Sequence, residues 1–207
     1  MQGFAHFSPI CALIGGFMRK KIAIFASGNG TNAENIIRYF QENASVSVDL
    51  VLTNKCDAFV LERAKGLGVI SEYFSRAEWE NGEAILELLS SRKIDFIVLA
   101  GFLARVPNRL LHAYPNKIIN IHPALLPKFG GKGMYGDHVH EAVVAAGEKE
   151  SGITIHYINE HYDEGAIVRQ VKCSVLPQDT PDDVAKKVHA LEYEYYPQVI
   201  KELVDRL

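Results

Sequence analysis

A single α/β domain built on one open sheet, mostly parallel with an antiparallel C-terminal addition, is what the sequence predicts. Three observations carry that expectation. Short β-rich runs alternate with longer helical patterns as far as Pro123, and such alternation implies crossover connections and a parallel sheet. Several of the runs are apolar almost throughout, as in Phe96-Ile97-Val98-Leu99-Ala100, which suits strands covered on both faces. After Pro123 the order changes, and residues 152–175 read as two strands around an acidic turn, a hairpin added to the sheet.

In chain order, strands are predicted at 21–26, 47–53, 94–100 and 117–121, with helices between them at 32–42, 57–67 and 77–92. In the last of these helices Ile85, Leu86, Leu88 and Leu89 supply an apolar face at helical spacing. A glycine-rich loop from Gly130 to Gly136 leads into a helix at 138–147, and strands follow at 152–158 and 166–175. Thr180-Pro181-Asp182-Asp183 opens a final helix, with Thr180 as N-cap and proline in the first turn. No repeat, low-complexity tract or linker interrupts the chain, so one domain is expected over 18–207. Residues 1–17 would be an extension outside it. They have no basic residue ahead of their apolar stretch and no A-x-A-like cleavage site, which makes a poor signal peptide.

Composition narrows the partners. With 48% hydrophobic residues in 207, the chain can bury a sizeable core. A formal net charge of -3 and a pI near 6.2 give no basic field, so nucleic acid is disfavoured while a small phosphorylated ligand is not. No apolar run approaches the roughly 20 residues that cross a bilayer, and no membrane is expected. Cys11, Cys56 and Cys173 are odd in number and widely spaced, as for reduced thiols in the cytoplasm.

Chemistry concentrates at two strand ends. Ser27-Gly28-Asn29-Gly30-Thr31-Asn32 follows the first strand and opens the first helix, placing small residues where backbone N–H groups can face an anion. Phosphate binding is the natural reading. Gly28-x-Gly30-x-x-Ala33 also satisfies a dinucleotide fingerprint, but that reading expects an acid at the end of the second strand, which instead ends Thr53-Asn54-Lys55, with Asp49 inside it.

At the end of the strand Lys117-Ile118-Ile119-Asn120-Ile121, Asn120 and His122 lie two residues apart and so share a face. An amide donor beside a group that titrates near neutrality suits a reaction in which charge develops on a carbonyl oxygen while a proton moves, as in acyl transfer. The plainer alternative is a turn-capping Asn and a core His. Asp163, in the acidic turn Asn159-Glu160-His161-Tyr162-Asp163, could orient the imidazole and raise its pKa; a turn-forming Asp is the plainer alternative there too. His138-x-His140 with His122 raises the question of a metal, but no Cys, Asp or Glu pattern completes a set, and no metal is expected. Gly130 to Gly136 does not have P-loop spacing and reads as a lid.

Six stretches taken together, IAIFASGNGTN, VLTNKCDAFVLERAKGLG, VLAGFLARV, IINIHPALLPKF, YDEGAIVRQ and EYYPQVI, resemble the phosphoribosylglycinamide formyltransferase family of purine biosynthesis, in order from about Arg19 to the C-terminus. The Asn-x-His-Pro segment and downstream Asp belong to a wider group of 10-formyltetrahydrofolate enzymes, and the Ser-Gly-Asn-Gly-Thr-Asn loop narrows the likeness to the ribonucleotide enzyme. The resemblance implies a Rossmann-like open sheet of the formyltransferase fold over 18–207. It implies two small-molecule substrates, 10-formyltetrahydrofolate and 5-phosphoribosylglycinamide, no metal, a cytoplasmic location, and a monomer or homodimer.

It also implies site residues. Asn120 and protonated His122 would hold the oxygen of the tetrahedral intermediate, and Asp163 would sustain that protonation. Gly28, Asn29, Gly30, Thr31 and Asn32, with Glu192 as a ribose partner, would hold the ribonucleotide. Leu103, Ala104, Arg105, Val106, Asn120, Asn159 and Asp163 would hold the folate. The chain departs from the family's commoner pattern in three places. Ala104 stands where Arg is usual, Ala77 to Ala84 has no counterpart to an Arg often found before the third helix, and the loop from Gly130 to His140 is longer; Lys132 and His138 are given no role. A formyltetrahydrofolate hydrolase, or a formyltransferase acting on a tRNA or a sugar amine, would share Asn, His and Asp, although additional domains would be expected in the tRNA enzyme and the hydrolase. A silent folate or phosphate binder is the non-enzymatic alternative.

Overall fold

In the computed structural model, which describes residues 19–207, seven strands form one sheet with the order β3-β2-β1-β4-β5-β6-β7. The strands are β1 (Lys20–Phe25), β2 (Val46–Thr53), β3 (Ile70–Tyr73), β4 (Phe96–Leu99), β5 (Ile118–His122), β6 (Glu150–Tyr157) and β7 (Ile167–Ser174). The first five are mutually parallel; β6 runs antiparallel to β5, and β7 antiparallel to β6. The expected parallel sheet with an added hairpin is therefore observed. The expected extension at 1–17 lies outside the described residues.

Side-chain alternation splits the core in two. On one face Ile22 and Ile24 of β1 pack with Ile36 and Phe40 of α1 (Thr31–Phe40), Ala64 of α2 (Val60–Gly66), Val143 of α6 (Asp137–Ala145) and Val188 and Val199 of α7 (Pro181–Val204). On the other, Ala23 and Phe25 pack with Trp79 of α3 (Arg76–Asn81), Ile85 and Leu89 of α4 (Glu83–Ser91) and Leu110 of α5 (Asn108–Ala113). Adjacent residues of one strand thus serve opposite layers, the period-two rule of a sheet buried on both sides.

Three details depart from expectation. The helix expected over 77–92 is two helices, because Gly82 at φ 72° ends α3 and begins α4. The short strand β3 is an edge strand whose residues are largely exposed, so it carries little of the apolar pattern that marks a strand. The six-residue α5 follows Pro107 and buries only Leu110 fully, too little to register as periodicity. Thr180, by contrast, forms the expected N-cap, accepting from the Asp183 N–H while the Asp183 carboxylate accepts from the Thr180 N–H.

Helix α7 contains Pro197, which cannot donate to the carbonyl of Tyr193 one turn earlier. Asn35 of α1 takes that freed carbonyl with its side-chain N–H at 2.9 Å, pinning the two helices together. The buried Tyr196 beside it donates its hydroxyl to the Leu99 carbonyl at 2.8 Å, with the Ile119 carbonyl at 3.3 Å, so α7 is tied to the ends of β4 and β5.

Candidate active site

Between β1 and β4 the strand order reverses, and the loops leaving their C-terminal ends must diverge, which opens a crevice at that edge of the sheet. A cavity of about 610 Å³ lies there. Its walls come from the glycine loop after β1, the 101–106 segment after β4, the end of β5, the 131–136 loop, the 158–163 turn and one face of α7. All of the site residues expected from the sequence line this one cavity: Gly28 to Asn32, Leu103 to Val106, Asn120, His122, Asn159, Asp163 and Glu192.

At the glycine loop, Gly30 is the N-cap of α1 at φ 78°, and no side chain caps the helix. The first N–H groups of α1 are thereby left to face the cavity, as an anion site requires. A Cβ at Gly30 would lie 2.5 Å from the Val60 side chain, so the positive φ and the close approach of α2 both demand glycine. The oxygens of Asn29 are held by Arg63, whose Nε lies 2.8 Å from the Asn29 carbonyl and whose Nη2 lies 2.6 Å from Oδ1. Arg63 also pairs with Glu34, and the side chain of Asn29 thus acts as a strut for the loop. Asp49, the acid weighed for a dinucleotide, is bound inside β2 by Lys21 at 3.2 Å and Arg92 at 2.6 Å, away from the strand end.

The reacting end is built across β5 and β6. Asn120 is register-paired with His156, and its Nδ2 lies 3.3 Å from His156 Nε2. Because a carbonyl can only accept, the 2.9 Å contact of His156 Nδ1 with the Tyr157 carbonyl places the ring proton on Nδ1. His156 Nε2 is then an acceptor, which turns the Asn120 amide nitrogen toward it and leaves that nitrogen a second N–H to give. By the same logic His122 Nε2 donates to the Phe129 carbonyl at 2.7 Å, and its Nδ1 lies 3.7 Å from Asp163 Oδ2. Asp163 Oδ1 lies 3.6 Å from His156 Nε2, so one carboxylate stands between two imidazoles.

Electrostatics differ here from the sequence expectation. Burial lowers the pKa of His122, outweighing the raising influence of Asp163 and of the Phe129 carbonyl. The resting imidazole is therefore neutral near pH 7, not cationic. Burial likewise acts to raise the Asp163 carboxyl, but the hydrogen bond from the Gly131 N–H and the nearness of the His122 and His156 rings hold it below its ordinary value. Gly131 donates at 2.9 Å, which attaches the glycine-rich loop to the Asp163 carboxylate.

Thr154 stabilises the segment beyond β5. It is fully buried, donates to the Ala124 carbonyl at 2.6 Å and accepts from the Leu126 N–H at 3.0 Å.

On the α7 wall, Glu192 is buried and its Oε2 receives His189 Nδ1 at 2.9 Å and Asn32 Nδ2 at 3.4 Å. The hydrogen bond to Glu192 raises the His189 pKa against the opposing effect of burial. His140 of α6 lines the same wall and is held below its ordinary value by burial and by His189. Among the described residues, Asn32 Oδ1 and His140 Nδ1 are buried without a hydrogen-bond partner, as expected of groups that await a polar ligand.

The 101–106 segment presents a mixed edge. Leu103 is 45% exposed and lines the cleft, whereas Val106 is buried with Trp79 and Phe102 in the second core, so the two do not offer a ligand equal surface. Asn159 uses its Oδ1 to accept from the His161 N–H at 2.9 Å, shaping the turn that carries Asp163.

His156 and His189 were not among the residues expected from sequence. A histidine directly after Ile153-Thr154-Ile155 in the same strand pattern and one three residues ahead of Glu192 on a helix were the available signals.

An amide, two imidazoles and a carboxylate at the switch point of an open α/β sheet, with a bare helix N-terminus in the same cleft, define a group-transfer site. A family model described as formyl transferase matches residues 20–200. A phosphoribosylglycinamide formyltransferase of Bacillus subtilis is 40% identical over 190 residues, which cover 89% of this chain and 95% of that protein. The chloroplastic enzyme of that name from Arabidopsis thaliana is 42% identical over 88% of this chain, which spans 64% of its length. Among solved structures, the Streptococcus pneumoniae phosphoribosylglycinamide formyltransferase superposes with a TM-score of 0.79 at 41% identity, covering 89% of this chain and 98% of that one. Glycinamide ribonucleotide transformylase 1 of Geobacillus kaustophilus gives a TM-score of 0.82 at 34% identity, covering 90% and 99%. The chain belongs to the formyl transferase family, and within it to the phosphoribosylglycinamide formyltransferases.

Proposed function

We propose that the chain transfers the formyl group of 10-formyltetrahydrofolate to the amine of 5-phosphoribosylglycinamide, giving formylglycinamide ribonucleotide and tetrahydrofolate in de novo purine biosynthesis. The observation that carries this reading is the convergence of Asn120, His122, His156 and Asp163 in the cleft that also holds the uncapped start of α1.

In this reading the ribonucleotide phosphate lies against the N–H groups of Gly30, Thr31 and Asn32, with Gly28 and Asn29 completing the loop and Glu192 accepting from ribose hydroxyls. The folate lies along Leu103 to Val106 and the turn from Asn159 to Asp163. The amine nitrogen attacks the formyl carbon, and the free N–H of Asn120 donates to the oxygen as it becomes negative. His122, neutral at rest, takes at Nδ1 the proton that the attacking nitrogen sheds once its bond to carbon has formed and holds it until N10 leaves; meanwhile the imidazolium is stabilised by Asp163 and by the bond from Nε2 to the Phe129 carbonyl. When the tetrahedral intermediate collapses, the bond from carbon to folate N10 breaks, and the proton lost by the attacking nitrogen is passed on to N10. Amide, imidazole and carboxylate supply the polarisation and proton transfer, and the reading assigns no metal. Residues 18–207 constitute the catalytic domain, and the unpaired Cys56 and Cys173 suit a cytoplasmic location.

Tetrahydrofolate release, followed spectrophotometrically with and without the ribonucleotide, tests the proposal. Release that needs the ribonucleotide and fails in Asn120→Ala is expected. Release without it would indicate a hydrolase, and no release under either condition would leave another amine acceptor or a silent binder.

A further inference from the structure

Trp79, the chain's one tryptophan, lies outside the cleft on the six-residue helix α3 and is 3% exposed. A buried indole must place its single N–H on an acceptor. Here Nε1 donates at 2.8 Å to the backbone carbonyl of Arg105, in the segment that walls the cleft after β4. The ring packs 4.6 Å from Phe102 and 5.2 Å, edge-on, from Phe25.

The same segment is gripped from the opposite side by Ser27, which is 1% exposed. Its Oγ accepts from the Leu103 N–H at 2.9 Å, and its own N–H donates to the Gly101 carbonyl at 3.0 Å. Leu103 and Ala104, between the two anchors, face the cleft. Phenylalanine would keep an aromatic ring beside Phe102 and Phe25, with a smaller volume, but has no N–H to hold the Arg105 carbonyl.

We propose that Trp79 is a positioning residue for the folate. By holding the Arg105 carbonyl it fixes the shape of the 101–106 edge and thereby sets affinity for the folate, leaving affinity for the ribonucleotide unchanged. The inference rests on the assignment of that edge to the folate in the proposed function.

Because there is one tryptophan, the N–H can be removed without altering ring shape: protein produced with 3-benzothienylalanine in place of tryptophan carries sulfur where the indole has N–H. The expected result is a rise of about five-fold in the KM for 10-formyltetrahydrofolate, the scale of one net hydrogen bond, with kcat and the KM for the ribonucleotide within two-fold. Trp79→Phe should move the same constant in the same direction. An unchanged folate KM in a protein whose melting temperature has fallen would reduce Trp79 to a core residue and overturn the proposal.

If the substituted protein does not fold, the unmodified protein decides: its single indole N–H resonance should shift on addition of tetrahydrofolate and hold still on addition of the ribonucleotide, and a resonance that ignores tetrahydrofolate overturns the idea. Leu103→Ala separates the two layers of the argument. A raised folate KM in Leu103→Ala with no effect of the sulfur isostere sinks the role of Trp79 alone, whereas no effect in either sinks the folate assignment of the edge as well.

Discussion

Around His122 two opposing effects of similar kind decide the resting state of the site: a carboxylate 3.7 Å away favours the imidazolium, and burial disfavours it more strongly. The sequence put both groups in view but could not supply the depth at which the ring sits. Removing the charge removes a raising influence, so Asp163→Asn should move the acid limb of the kcat/KM profile to lower pH. It should also lower the plateau by about 10² to 10⁴-fold, the usual contribution of acid–base catalysis. A limb that moves upward would show that Asp163 does not act on His122. Asn120→Ala should reduce kcat by about 10² to 10³-fold, as for loss of one oxyanion donor, with ribonucleotide binding by calorimetry unchanged. His156 was missed because its importance comes from its register opposite Asn120, a property of strand pairing and not of spacing along the chain.

At the level of elements, two glycines hold parts of the site by what they lack. At Gly165 a Cβ would stand 1.7 Å from the Tyr157 carbonyl, so the chain leaving the Asp163 turn can re-enter the sheet only as glycine. Gly165→Ala should therefore lower both thermal stability and kcat, while Gly30→Ala, beside Val60 and at φ 78°, should raise the KM for the ribonucleotide most. Equal effects of Gly30→Ala on the two substrates' KM values would argue against a phosphate role for its loop. The cap of α7 offers a cleaner measure: Thr180→Ala should cost about 1 kcal/mol in denaturant unfolding and leave KM values alone. Alternation and periodicity made the long elements visible in the sequence. The break at Gly82 was not legible as a boundary because apolar residues continue at helical spacing beyond it, and β3 was not legible because an edge strand buries too little to need a pattern.

Across the whole molecule, the histidines of the cleft, His122 and His140 buried and His189 half-exposed, couple folding to pH. His122 and His140 are both held below their ordinary value of 6.5 by burial, so the unfolded chain binds protons that the folded chain refuses. Their stabilising contribution is present above about pH 6.5 and is lost as pH falls through the lower folded values. His189, raised by Glu192, works in the opposite sense, its contribution being present at low pH and lost as pH rises through its folded value. Two groups against one predict a lower urea midpoint at pH 5 than at pH 7.5; Asp163, held below its ordinary 3.8, adds a further loss only at pH values below that. A midpoint equal or higher at pH 5 would contradict this balance.

By itself the sequence determined the α/β class and the parallel half with its antiparallel addition, because apolar periodicity and glycine or proline placement are local properties of the chain; the site residues it suggested, from positions as far apart as Gly28 and Glu192, came partly from the two strand-end motifs and partly, as for Glu192 and the folate edge, from the family resemblance alone. Only the tertiary structure decided that all of these line one cavity, that His156 and His189 stand among them, and that the imidazole of His122 rests neutral. Each of those depends on which strands pair and how deeply a side chain is covered. Neither is fixed until distant segments have packed.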